Sequence, residues 1–260
     1  MRDKRGLKLN RSPLAMVLGQ VRFSTILKMG TYIPDIQETF RRLNLSRFQP
    51  EQTQRFTLGP SVSTASEMRW VFSNREETEA VILSNDYFVY QVSEYDIFET
   101  FLGRLMPLLE VVGKCVEPDF VSQTGLRYVD LIRAEVGMRL SDYLVPELRG
   151  LSLETLEGEA MNHEFMMQVK TGVGVLFVRS FENRGEQFLP PDLETKHLKF
   201  KCQTTTDEDF RVLEFDHISK ANFGFEPERI ERLFGDLHRS TDVAFRKSVT
   251  PEALTRWGKD

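Results

Sequence analysis

Leu14-Ala15-Met16-Val17-Leu18-Gly19-Gln20-Val21-Arg22-Phe23-Ser24, entered behind Pro13, alternates like a half-buried strand: Val17, Gly19, Val21 and Phe23 fall on one face and Arg22 on the other. Later in the chain Gly125-Leu126-Arg127-Tyr128 repeats the phase of Gln20-Val21-Arg22-Phe23, so each opens a unit of its own. Around the first lies a helical pattern over 33–43, with Ile36, Phe40 and Leu43 at spacings of four and three behind Pro34. Strand-like runs follow at 55–62, 68–72, 80–83 and 87–92, the last two split by Ser84-Asn85-Asp86 as a turn. A broad apolar stripe over 95–112, from Phe98 to Val112, predicts a long helix that Pro107 kinks or brings to its last turns.

The order then begins again. A strand-like run covers 120–132, a short mixed stretch 140–148, strands 159–169, 173–181 and 210–219, and a closing helix runs from Pro227 to about Phe245. The expectation is an α+β fold of two fused β-α-β-β-β-α-type repeats, forming an extended or curled antiparallel sheet with long helices packed on one face. Its parts are a basic leader (1–12), a first repeat (13–117) and a second repeat (118–260) in one fused body. The stretch 183–209 breaks the periodicity and reads as a long loop, the kind of segment that forms lids or holds partners.

With 40% hydrophobic and 28% charged residues over 260 positions, the chain can bury a core and is not of disordered composition. A net charge of −5 disfavours phosphate backbones as partners, despite Arg2, Lys4, Arg5, Lys8 and Arg11 in the leader. The longest apolar runs fall far short of the roughly 20 residues that cross a bilayer. Two cysteines, Cys115 and Cys202, supply neither a disulfide framework nor a metal site and suit a reducing cytoplasm.

None of His163, His197, His217 and His238 has the spacing of metal ligands, and no nucleophile elbow, phosphate loop or dinucleotide fingerprint appears. No catalytic residue, metal or cofactor is therefore assigned. Arg22 and Arg127, on equivalent strands, form a candidate guanidinium pair for a carboxylate or phosphate, with Tyr128 and His217 as further ligand-binding candidates. Local acids such as Asp130 or Glu214 are the competing partners for those arginines. In the long loop Lys196, His197, Lys199, Phe200 and Lys201 interleave basic and aromatic groups as a candidate partner contact.

Four segments in order resemble a sporadically distributed bacterial and archaeal family of uncharacterised proteins. They are the run from Pro13 to Phe23; Arg69-Trp70-Val71-Phe72 with Leu83-Ser84-Asn85-Asp86-Tyr87-Phe88; Gly125-Leu126-Arg127-Tyr128-Val129-Asp130, where Asp130 replaces a usual Asn; and Leu237-His238, Phe245 and Val249-Thr250-Pro251-Glu252-Ala253-Leu254. The resemblance marks Arg22, Arg127, Tyr128 and His238 as motif residues and implies no activity or cofactor. The patchy distribution suggests accessory genes. The leading expectation is a non-enzymatic cytoplasmic protein-interaction module of a toxin-antitoxin or phage-defence-like locus, with a protein partner or a second copy. Its alternatives are a small anionic-ligand binder or sensor using Arg22 and Arg127, and a metal-dependent hydrolase or nuclease built on His163 and His217.

Overall fold

The computed structural model describes residues 8–57, 63–151, 163–193, 195–220 and 222–258. Most of the basic leader and the start of the strand expected at 159–169 lie outside the described residues. The chain runs β1 (Leu14–Phe23), α1 (Met29–Arg42), β2 (Arg47–Thr57), β3 (Ser63–Ser73), β4 (Glu79–Ser84), β5 (Tyr87–Val92), α2 (Phe98–Val116) and β6 (Phe120–Arg133). It continues through β7 (Glu164–Lys170), β8 (Val175–Arg184), β9 (Asp209–Ser219), β10 (Phe223–Gly224), α3 (Pro227–Ser248) and α4 (Pro251–Arg256). The strands form one open antiparallel sheet in the order β2-β3-β4-β5-β1-β6-β9-β8-β7, with β10 beside β6. β1 and β6 are paired at its centre, Leu18 opposite Arg127 and Arg22 opposite Gln123.

Alternation then assigns every side chain to a face. On the first face Val17, Val21, Phe72, Phe88, Tyr90 and Leu126 meet Ile36 and Phe40 of α1, Leu105 and Leu109 of α2, and Ile230, Phe234 and Leu237 of α3. Each such side chain, taken out of water, contributes roughly 1.5–3 kcal/mol. Gly19 lies where α2 and α3 cross the sheet; a Cβ there would stand 2.5 Å from Leu105 Cδ1 and 3.1 Å from Phe234. Gly19→Ala is expected to lower the unfolding free energy by about 1–3 kcal/mol through overpacking, read by urea denaturation.

The second face has a different cover. Phe188, Leu189, Leu193, Leu198 and Phe200 of the long loop pack on Ala15, Met16, Ile82, Val129, Leu131 and Val212. The loop is clasped by hydrogen bonds to its main chain as well: Lys199 N–H donates to the Glu77 carbonyl at 2.7 Å, and Ser93 Oγ donates to the Lys199 carbonyl at 2.6 Å. It is thus a second layer over the sheet.

Several boundaries differ from the sequence expectation. β2 begins at Arg47, ahead of the expected 55, because Gln49, Glu51 and Thr53 lack an apolar face; it is an edge strand, which also tolerates Pro50. α1 begins at Met29, so Pro34 lies within the helix instead of starting it. The mixed stretch 140–148 holds two short 3-10 turns, Leu140–Tyr143 and Pro146–Leu148. α4 escaped the reading, although Thr250 caps it by accepting a bond from Ala253 N–H at 3.2 Å and Pro251 starts it. Among the described residues no helix is long and apolar enough to cross a membrane.

Candidate functional site

Beneath the long loop the second face is hollow. Gly125 offers no side chain at the centre, and a groove of about 590 Å³ opens there, a size that fits small organic ligands. Its floor is Leu18, Gln20 and Arg22 of β1, Val89 and Gln91 of β5, Arg127 of β6, and Asp216 and Ile218 of β9. Glu67 and Arg69 of β3 form one wall, and Pro191, Asp192 and Leu193 of the loop form the roof.

Arg22 and Arg127 do share this groove. They lie on adjacent strands, four residues out of register, which is roughly 13 Å along the strand. Each is already matched by acid. Arg22 Nη1 is 3.1 Å from Asp86 Oδ2, and its guanidinium lies 5.3 Å from the centre of the Tyr87 ring. Arg127 donates to both carboxylate oxygens of Asp192, at 2.6 and 3.0 Å, and also pairs with Glu214 on β9, the local acid foreseen for it. Arg179 of β8 approaches Glu214 at 2.8 Å and Asp192 at 3.8 Å.

Arg127 and Glu214 are buried, Arg179 is half-buried, and the Asp192 side chain is 59% exposed. Burial works against the charge on Arg127, yet its hydrogen bonds to Asp192 and the nearby acids raise its pKa further. Donation from Arg127 holds the Asp192 carboxyl below the usual range. Asp216, next to them on β9, is pushed up to about 6 by burial, with Glu214 and Asp192 opposing the pull of Arg127 and Arg179. Gln91 is buried in the floor with its Nε2 unpartnered, as are Nε of Arg127 and Oε2 of Glu214.

Strand parity separates the remaining expected ligand residues from the arginines. Tyr128 and His217 face the helices, so the four-residue ligand set of Arg22, Arg127, Tyr128 and His217 does not assemble. Tyr128 Oη is 2.9 Å from His238 Nδ1. His217 has both ring nitrogens occupied, by Thr171 Oγ1 at 2.8 Å and the Leu237 carbonyl at 3.0 Å, and pins β9 to the 171–174 turn and to α3. Burial lowers its pKa, so it is held neutral.

His163 is bonded to Arg211, 3.2 Å away, and Arg211 lies six residues from His217 on β9, roughly 20 Å. The two histidines of the hydrolase alternative do not converge, and among the described residues no three His, Cys, Asp or Glu side chains are grouped to hold a metal ion.

The candidate partner contact in the loop is turned largely onto the chain itself. Buried His197 lies 3.2 Å from Glu51, and Phe200 meets Phe188 edge-on at 5.3 Å. Lys199 reaches Glu77 at 2.5 Å and Lys201 reaches Glu94 at 3.1 Å, but both lysines stay more than 70% exposed, and such pairs hold little. Lys196 is exposed. Asp192 went unnoticed in the sequence because no periodicity marks a residue of an irregular loop.

Compared with protein-family models and with curated proteins, the chain matches none.

Proposed function

We propose that the protein binds a small organic molecule carrying a carboxylate or phosphate in the groove, and that filling the groove and freeing its roof are one event. The observation that carries this reading is Asp192: a carboxylate from the loop, largely exposed, accepts from both terminal nitrogens of Arg127 as a ligand's own acid would. An acidic ligand reaches Arg127 by taking that place. Its apolar body would lie on Leu18, Ile82, Val89 and Ile218, with Gln20 and Gln91 available for neutral hydrogen bonds.

Native mass spectrometry of protein purified from its own host is the direct test, because a retained acidic molecule identifies the ligand. With that ligand in hand, Asp192→Asn removes the internal competitor and is expected to tighten binding about tenfold, a difference of about 1.4 kcal/mol. Hydrogen exchange over 187–199 is expected to speed up when ligand is added to the wild type. A ligand that binds with unchanged exchange there, or equally well to both proteins, would sink the displacement scheme.

A second reading, the protein-interaction module, is favoured by β7. This strand ends the sheet, and Met166 and Met167 on it are 60% and 44% exposed. An edge of this kind suits pairing with a second copy. Light scattering on the purified protein would return a dimer mass under this reading, with Met166→Lys shifting it to monomer.

A further inference from the structure

On the helix side, where the two larger core clusters meet, a separate cavity of about 100 Å³ opens between β6, β9, α3 and the segment leading into α2. That volume holds about three water-sized groups at roughly 30 Å³ each. Its wall combines five aromatic side chains, Tyr95, Phe98, Tyr128, Phe215 and Phe245, with polar groups that include Ser12 and Thr241. One acid, Asp130, stands among them, 3% exposed, with neither a hydrogen bond nor an ion pair from its carboxylate to any described residue. A register shift between β1 and β6 at Leu14 and Met16 accompanies its position.

The other charges around the cavity are accounted for. Asp242 of α3 is bound by Arg246 at 2.9 Å, and Asp96 is bound by Lys8 at 2.7 Å. His238 is stacked on Phe98 with ring centres 4.0 Å apart and bonded to Tyr128, and burial keeps it neutral. The Tyr95 ring meets that of Tyr128 edge-on with centres 6.0 Å apart, and burial raises both phenols, so neither supplies charge near neutral pH. Glu99 of α2 adds a further negative field. β1 and β9 contribute the apolar Leu14 and Phe215. Among the described residues no cation pairs with Asp130.

A buried carboxyl with no ion-pair partner among the described residues, in a cavity it shares with five aromatic side chains, has the complementarity of an organic cation: the charge meets the acid, and methyl or methylene groups lie against the rings. We infer that this cavity is a binding site for a small alkylammonium group, with Asp130 as its counter-ion and Tyr95, Phe98, Tyr128, Phe215 and Phe245 as its cage. The site is on the opposite face of the sheet from the groove and does not depend on the function proposed for it.

Methylammonium, trimethylammonium and tetramethylammonium chloride, titrated calorimetrically into the full-length protein with potassium chloride as the ionic control, test this. Saturable binding of at least one alkylammonium ion is expected, weakened tenfold or more in Asp130→Asn, a variant that keeps the cavity's shape. Because burial pushes Asp130 up to about 8, affinity should rise about tenfold between pH 6 and pH 7, with release of a proton on binding. Tyr95→Leu, which keeps the acid and removes one ring, should weaken trimethylammonium more than methylammonium. Absence of saturable binding in the millimolar range, equal affinity in wild type and Asp130→Asn, an equal response to potassium, or binding of acetate in place of the cations would each overturn the inference.

Discussion

Replacing Asp130 by Asn is expected to raise the unfolding free energy of the dialysed protein by about 4 kcal/mol at pH 7, and its melting temperature by about 10 °C at roughly 2–4 °C per kcal/mol. Burial alone moves this carboxyl from 3.8 to about 8, so at neutral pH it is protonated when folded and ionised when unfolded. Each pH unit between those values weakens the fold by about 1.4 kcal/mol, and pH 7 lies about three units above 3.8. The sign follows from the raised folded pKa: the cost is absent below about pH 4, grows as pH rises and levels off above about 8. Urea denaturation at pH 5, 6, 7 and 8 should therefore show the gap between variant and wild type widening with pH until it levels off. A gap that is constant or absent across that range would show that Asp130 carries no buried cost. A natural sequence that keeps an acid at such expense points to a use for it.

Arg127→Gln is expected to act in the opposite direction, lowering stability by about 3–5 kcal/mol, because it leaves Glu214 buried with Arg179 as its remaining ion-pair partner and detaches Asp192. The loop over 187–199 should also lose hydrogen-exchange protection. Arg127→Met combined with Glu214→Met removes both buried charges, and is expected to recover most of the loss while leaving the roof unlatched. If the single and double variants are equally unstable, the arginine matters for its packing and not for its charge.

Much of this molecule was legible in residues 14–24, since alternation there already assigned Val17, Gly19, Val21 and Phe23 to a buried face and Arg22 to the other. The three long helices were legible for the same reason, as stripes of Phe, Leu and Ile that bury against the sheet. β2 was misplaced because an edge strand with polar residues on one side carries no such stripe. The candidate sites were only half visible. Arg22 and Arg127 could be paired from strand phase, but their acids arrive from β9 and from an irregular loop, and no local pattern announces a tertiary meeting. Asp130 was visible only as one of the acids that could compete for Arg22 and Arg127; that it lacks a partner among the described residues is a property of the surrounding packing, which a single strand does not record.

The roof of the groove is clasped to Glu77 and Ser93 in the first half of the chain, while its residues belong to the second. The floor likewise needs β1 beside β6. Closing such distant contacts costs loop entropy that local contacts do not, so their formation comes late and sets the pace of folding. The groove is therefore a late product of the chain: a nascent polypeptide that has completed α2 has part of the floor, with neither Arg127 nor a roof, and the closed groove is assembled only with the last third of synthesis.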